Sequence, residues 1–387
     1  PCENLGRVSD MTFRLTRPLQ LQIMALLGVA IFSFALLSAK VPASASPSNQ
    51  SFIATMPKPY TPIAANGGTD DYHCFVIDPH ITRDSIITSV TFRPQQKLIV
   101  HHMILFQVTQ KDRASALALD NNGAGWSCFG GTGMGSSFSS FLTTPWLSSW
   151  APGRNIDVMP AGYGTPISKG DLLVIQVHYN LLAINFGGTP EDQSSVALNA
   201  VPASASHLKP LFADLFPAPV ELACPNGVSG DLCDRGKSLI DLARRTSSAS
   251  AIEAAGLNLL CGQSAFNPTP SNTSTCDRKI TQNELAIKAT PHMHLLGKSM
   301  RLILNPGTAS EQILLDRPKY NFDDQSPTVL AKPVALKIGD TVRVQCTFDP
   351  SLRSLLPQFK KLPPRYVTWG EGSSDEMCLG VLAVSRN

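Results

Sequence analysis

The sequence predicts an all-β protein of the β-sandwich or jelly-roll kind, interrupted by a partly helical insertion that disulfides staple. Three features point there. Apolar runs of strand length alternate with turn signals over most of the chain, at a period near two rather than that of a helix. Proline and glycine are abundant, with 30 and 27 residues, which favours turn-rich β structure. Between Ala203 and Gln282 the composition turns helical, and this block carries four of the nine cysteines.

Residues 1–45 read as an upstream extension followed by a secretory signal. Arg14 and Arg17 precede the apolar run 23–37, and Ala43-Ser44-Ala45 offers an A-x-A cleavage site. The strictly apolar core is about 15 residues, short of the ~20 that span a bilayer. Cleavage is therefore expected, and a membrane contact arises only if the segment is retained. Cys2 would leave with the signal. Eight cysteines remain: Cys74, Cys128, Cys224, Cys233, Cys261, Cys276, Cys346 and Cys378. An even number in an exported chain predicts disulfides, and the lack of a CxxC pair argues against a zinc ribbon or thioredoxin motif.

Residues 46–71, rich in Pro, Ser and Gly, read as a linker and entry segment. Strand patterns follow at 86–93, 98–108, 172–179 and 196–201, with a Gly-rich loop at 124–135. Segment 157–167 runs through the turn Lys169-Gly170-Asp171 into the third of these strands. The insertion, about 218–282, holds helical stretches at 238–245 and 249–260 and a loop at 268–275. Strand patterns return at 285–289, 292–295, 300–304, 334–338, 341–348, 366–369 and 379–384. The length of 387 residues suits two ordinary domains or one large one. The net charge of +3, with no long basic run, gives no electrostatic footprint for nucleic acid.

Six side chains carry the functional reading. The run LIVHHMILFQV, residues 98–108, is a buried-strand pattern with His101 and His102 at its middle. Buried imidazoles need a polar partner or a metal. Neighbours on a regular strand face opposite ways, so these two can share one ion only if the strand is bulged, twisted or ends at a cleft. His178 lies in LLVIQVHYN. His292 and His294 lie two apart in ATPHMHLLGK, which sends both imidazoles to one face while Met293 turns away. Met377 lies in SSDEMC. Imidazole with thioether and no carboxylate suits copper, particularly Cu(I), better than zinc, magnesium or calcium. A disulfide between Cys346 and Cys378 would pin Met377 beside a neighbouring strand. Asp375 and Glu376 read as turn residues or outer support of the ligands. His73, His80 and His207 read as surface residues.

In order along the chain, VHHMILF, QVHYN, HMHLLGK and GSSDEMC resemble the motifs of the copper type II, ascorbate-dependent monooxygenases. That family includes peptidylglycine α-hydroxylating monooxygenase and dopamine β-monooxygenase. The resemblance covers about Tyr72 to Val384 outside the insertion. It implies two tandem antiparallel β-sandwich, jelly-roll-like domains, 72–202 and 203–387, facing across a solvent-filled cleft with one copper each. By position, His101, His102 and His178 match the electron-transfer copper. His292, His294 and Met377 match the copper that binds oxygen and substrate, and so carry the catalytic role. Gln176 matches the segment around His178. Cys74–Cys128 and Cys346–Cys378 match two family disulfides. The insertion cysteines do not map, and nested pairing is expected for them, Cys224–Cys276 and Cys233–Cys261.

The implied reaction uses O2 and two electrons, from ascorbate or another small reductant, to hydroxylate a C–H bond of a small organic substrate. Peptide-hydroxylating members hold a substrate carboxylate with an Arg before the His-x-His and an Asn and a Tyr after the Met-Cys. Here Thr290, Leu379 and Gly380 stand in those places, so a peptide ending in glycine is not the expected substrate. Two other readings remain: a non-catalytic exported copper carrier or electron-transfer module, and a structural β-sandwich with incidental histidines.

Overall fold

The computed structural model describes residues 50–129, 131–134, 144–153, 156–182 and 189–386. The expected signal segment and its cleavage site lie outside these residues. The chain from Ser46 onward folds as a single unit, mostly of antiparallel sheets.

The long apolar runs become the middle strands of a five-stranded sheet, where both faces are covered. Its order is Trp126–Ser127, Asp70–Ile77, Leu172–Asn180, Val100–Val108 and Trp146–Trp150. A six-stranded sheet runs Gln50–Thr55, Ser195–Pro202, Ser85–Arg93, Tyr163–Ile167 and Lys209–Pro210, with Ile156–Val158 paired to Ser85–Arg93. Alternate side chains of the two sheets meet in one core. Phe75, Met103 and Ile175 come from the first, and Ile87, Phe92 and Leu198 from the second.

The rest of the chain repeats this logic. One four-stranded sheet is ordered Phe212–Pro217, Cys378–Arg386, Glu284–Met293 and Thr328–Leu336. The other is ordered Thr273–Lys279, Thr341–Phe348, Gly297–Leu304 and Gln312–Arg317. Ala286, Ala289 and Leu382 of the first share a core with Leu302, Leu315 and Val344 of the second. Helices Arg235–Arg245 and Ser248–Leu260 fill the insertion, and Asp234 caps the first by accepting from the Lys237 amide at 2.8 Å.

Several expectations are corrected. The stretch 46–71, read as a linker, carries strand Gln50–Thr55, which pairs along its whole length with Ser195–Pro202. Its polar residues sit on an edge strand, where one side faces water. Helix Arg113–Asp120 was not expected; it is short and buries only Ala116 and Asp120. The predicted loop 268–275 runs into strand Thr273–Lys279, an exposed edge strand whose polar residues hid it.

The eight cysteines among the described residues all bond, and Cys74–Cys128 and Cys346–Cys378 pair as the resemblance implied. The insertion pairs are Cys224–Cys233 and Cys261–Cys276, not the nested Cys224–Cys276 and Cys233–Cys261. The 3-10 turn Asp231–Cys233 folds Cys233 back onto Cys224, at a Cα separation of 5.6 Å. Cys261 caps the second helix and meets the buried Cys276 on its neighbouring strand. Each bridge closes a short loop, which costs less chain entropy than a long one.

Candidate metal centre

The twin histidines share a site because their strand is irregular there. Strand Val100–Val108 pairs with Leu172–Asn180, and the register shifts between Val100 and His102. Tyr179 faces Val100 and His178 faces His102, so His101 is the extra residue of a bulge. The bulge turns both imidazoles the same way. One ring nitrogen each of His101, His102 and His178 lies within 4.8 Å of the others, and all three side chains are buried.

The surroundings fix the free lone pairs. His178 Nε2 lies 2.8 Å from Asp70 Oδ1, a carboxylate that accepts its proton. Burial alone would raise the Asp70 pKa, but the hydrogen bond and charge of His178, with bonds from Ser373 and Thr69, hold it well below the usual carboxylate range. With Nε2 protonated, His178 presents a bare Nδ1, and that atom lies 3.2 Å from His102 Nδ1. Two imidazole nitrogens at that separation need a proton or a metal ion between them. Tyr72 stacks on the other face of His178 at 4.1 Å. His101 stacks on Phe322 at 4.2 Å, and neither of its ring nitrogens has a hydrogen-bond partner.

His292 lies near the end of strand Glu284–Met293 and His294 just beyond it, with their ring centroids 5.2 Å apart. His292 Nδ1 meets Gln325 Oε1 at 2.7 Å, and Gln325 is itself held by Phe322 O. His294 Nδ1 meets Asp375 O at 3.2 Å, leaving Nε2 buried and without a partner. An oxygen acceptor on one nitrogen again directs the other nitrogen's lone pair into the site. Burial pushes down the pKa of His101, His102, His292 and His294, that of His292 to about 4. These four imidazoles therefore favour the neutral form, the one that ligates metal.

Met377 is buried at the start of strand Cys378–Arg386 and lines a cavity of about 70 Å³ together with His292 and His102. Its loop is braced from two sides. The Glu376 carboxylate accepts from the amides of His294, Leu296 and Met377, tying both ligand segments together. Burial raises its pKa to about 8 against those three bonds. Asp375 pairs with Arg245 of the first insertion helix at 2.8 Å, and Arg245 also holds Asp241 at 2.7 Å.

The two ligand groups are not separated by a solvent-filled cleft. The rings of His102 and His292 are 5.7 Å apart, and the five imidazoles form one continuous cluster. Buried Lys288 reaches across from strand Glu284–Met293 to Asp157 at 2.9 Å, and Ser148 donates to the same carboxylate.

Thr290 and Leu379 also line the cavity, whereas Gly380 faces the core, where an added Cβ would lie 2.6 Å from Leu302. Gln176 reaches the cavity too, its amide donating to the Cys128 and Gly131 carbonyls. Of the other histidines, His80 and His207 are exposed, and His73 is half-buried. It stacks on Tyr60 at 3.9 Å within strand Asp70–Ile77, and burial lowers its pKa. Asp70, Gln325 and Phe322 had no signal in the sequence; each acts only by being brought beside a histidine.

The fold and site define a mostly β protein with a buried imidazole cluster in which His101, His102 and His178 could hold a metal ion. The segment 262–383 matches the family model described as copper type II ascorbate-dependent monooxygenase, C-terminal domain. The matched segment contains His292, His294 and Met377. Among solved structures, similarity is slight. Allantoicase shares 9% identity over 74% of this chain and 76% of its own, with a TM-score of 0.19. The VP2 subviral particle of infectious bursal disease virus shares 8% over 88% and 72%, with a TM-score of 0.20. A fucolectin from striped bass (Morone saxatilis) serum shares 8% over 88% and 98%, with a TM-score of 0.15.

Proposed function

We propose that this protein is an exported dicopper monooxygenase that hydroxylates a C–H bond of a small organic substrate. The balance is RH + O2 + two electrons + two protons giving ROH and water, with ascorbate or another enediol supplying the electrons. The proposal assigns two tandem copper domains, 72–202 and 203–387. His101, His102 and His178 would hold one copper, and His292, His294 and Met377 the other. Copper bound there would supply one-electron redox chemistry and activation of O2, and a thioether among the ligands favours Cu(I). The four disulfides fit an oxidising, extracytoplasmic compartment.

The observation that carries this reading is the pattern of lone pairs. Asp70, Gln325 and the Asp375 carbonyl each occupy one nitrogen of a histidine and leave the other facing the cluster. The protein's own part is to hold those ligands still, to seat the substrate beside Met377 and His292, and to keep bulk water out. The cavity at Met377 favours catalysis over a carrier, which needs no room for a substrate.

Met377→Ile tests the assignment. The variant is expected to keep its circular dichroism spectrum and to lose ascorbate-dependent hydroxylation. Normal turnover by that variant would remove Met377 from the site. Ascorbate-driven O2 uptake in the parent protein with no hydroxylated product from any substrate would favour the carrier.

A further inference from the structure

The cavity beside Met377 carries information about what enters it. Its walls are built from Phe106, Trp146, Trp150, Leu379 and Val381, with Thr290 as a small neutral neighbour. Among the described residues that line it there is no lysine or arginine. An anionic group held against these walls, away from the copper, would lose its hydration with no lysine or arginine among the described lining residues to replace it. The amide nitrogens of Gln176 and Gln325, both wall residues, already donate to backbone carbonyls. Glu371 is the charged side chain among the described lining residues, and it is already engaged within the protein.

We propose that the substrate is an uncharged molecule that inserts a flat apolar group, aromatic or alicyclic, against Trp146, Trp150 and Leu379, with a C–H bond directed at Met377 and His292. This rests on reading the site as a monooxygenase. Aromatic walls recognise such a group by area and stacking rather than by hydrogen bonds. The ammonium ion that Glu371 would attract is the chief rival ligand.

The test uses three probes of one shape: ethylbenzene, its 2-ammonium derivative and its 2-carboxylate derivative. Binding to the copper-loaded protein is measured by calorimetry without O2. Product is then measured with O2 and ascorbate. Ethylbenzene is expected to bind at least tenfold more tightly than either charged probe and to be hydroxylated at its benzylic carbon. Equal or tighter binding of a charged probe overturns the inference, as does failure of all three to bind. Tight binding of ethylbenzene with no product from any probe leaves the cavity's preference standing and sinks the monooxygenase reading instead. Thr290→Arg places a cation in the wall and should raise affinity for the carboxylate probe about tenfold. An unchanged ranking would mean that the probes bind elsewhere, and would overturn the assignment. If Thr290→Arg does not fold, Leu379→Ala serves, and ethylbenzene affinity should fall several-fold; no fall overturns it equally.

Discussion

In His178 the position of one proton decides what the ring can do. Asp70 lies 108 residues earlier in the chain, yet its carboxylate sits on Nε2 and leaves Nδ1 as the bare nitrogen. Replacing Asp70 with Asn keeps an acceptor of the same shape but removes the charge that anchors the tautomer. Copper affinity at the three-histidine group is expected to fall about 10- to 100-fold. Titration against a competing chelator would read this as one weakened copper and one unchanged, with the far-ultraviolet dichroism intact. Equal weakening of both coppers would show that Asp70 supports the fold rather than His178. The histidines themselves were legible, because an imidazole inside an apolar strand stands out in any sequence. Asp70 and Gln325 were not, since a lone carboxylate or amide looks the same whether it faces solvent or a ligand.

Among the elements, the helical insertion does more than fill space. Its first helix sends Arg245 to Asp375, so a segment read from the sequence as a stapled appendage holds the loop that leads to Met377. Composition revealed both helices, and their last residues, Arg245 and Leu260, coincide with the expected ends. The second helix carries a liability in Glu253, which is buried with one carboxylate oxygen lacking a hydrogen-bond partner. Burial pushes its pKa up to about 7, from the ordinary 4.5. The folded state therefore binds this proton more tightly than the unfolded chain does. Its contribution to stability is full below the unfolded value and is lost as pH rises through the folded one. At 1.36 kcal/mol per unit, the loss reaches about 3 kcal/mol at most. Glu253→Gln should lack this slope, so its stability relative to the parent should improve between pH 5 and pH 8. Urea denaturation at the two pH values measures the difference; no change in it would mean that Glu253 is ionised at no cost in the native state.

For the whole molecule, the decisive feature is that the two ligand groups meet. Lys288 and Asp157 are both buried, and their ion pair joins strand Glu284–Met293 to strand Ile156–Val158. Removing one partner leaves a buried charge without its counterion, so Lys288→Met should destabilise the protein by about 3–5 kcal/mol. The double variant Lys288→Met with Asp157→Leu should recover most of that loss, because matched apolar replacement is often near neutral. Chemical denaturation of the single and double variants checks this. A single variant within about 0.5 kcal/mol of the parent would show that the pair is solvated and does not hold the two groups of sheets together.

From residue order alone one could read the mostly β architecture, pick out five imidazoles and one thioether as candidate donors, and foresee an irregular strand at His101-His102. Each of these is a local matter: periodicity, residue chemistry, and the rule that strand neighbours face opposite ways. Which nitrogens are left bare, which insertion cysteines pair, and whether the two histidine groups stand apart or touch came from the three-dimensional packing. Those depend on contacts between residues distant along the chain, where the packing of sheets and a buried ion pair choose among arrangements that local patterning leaves equal.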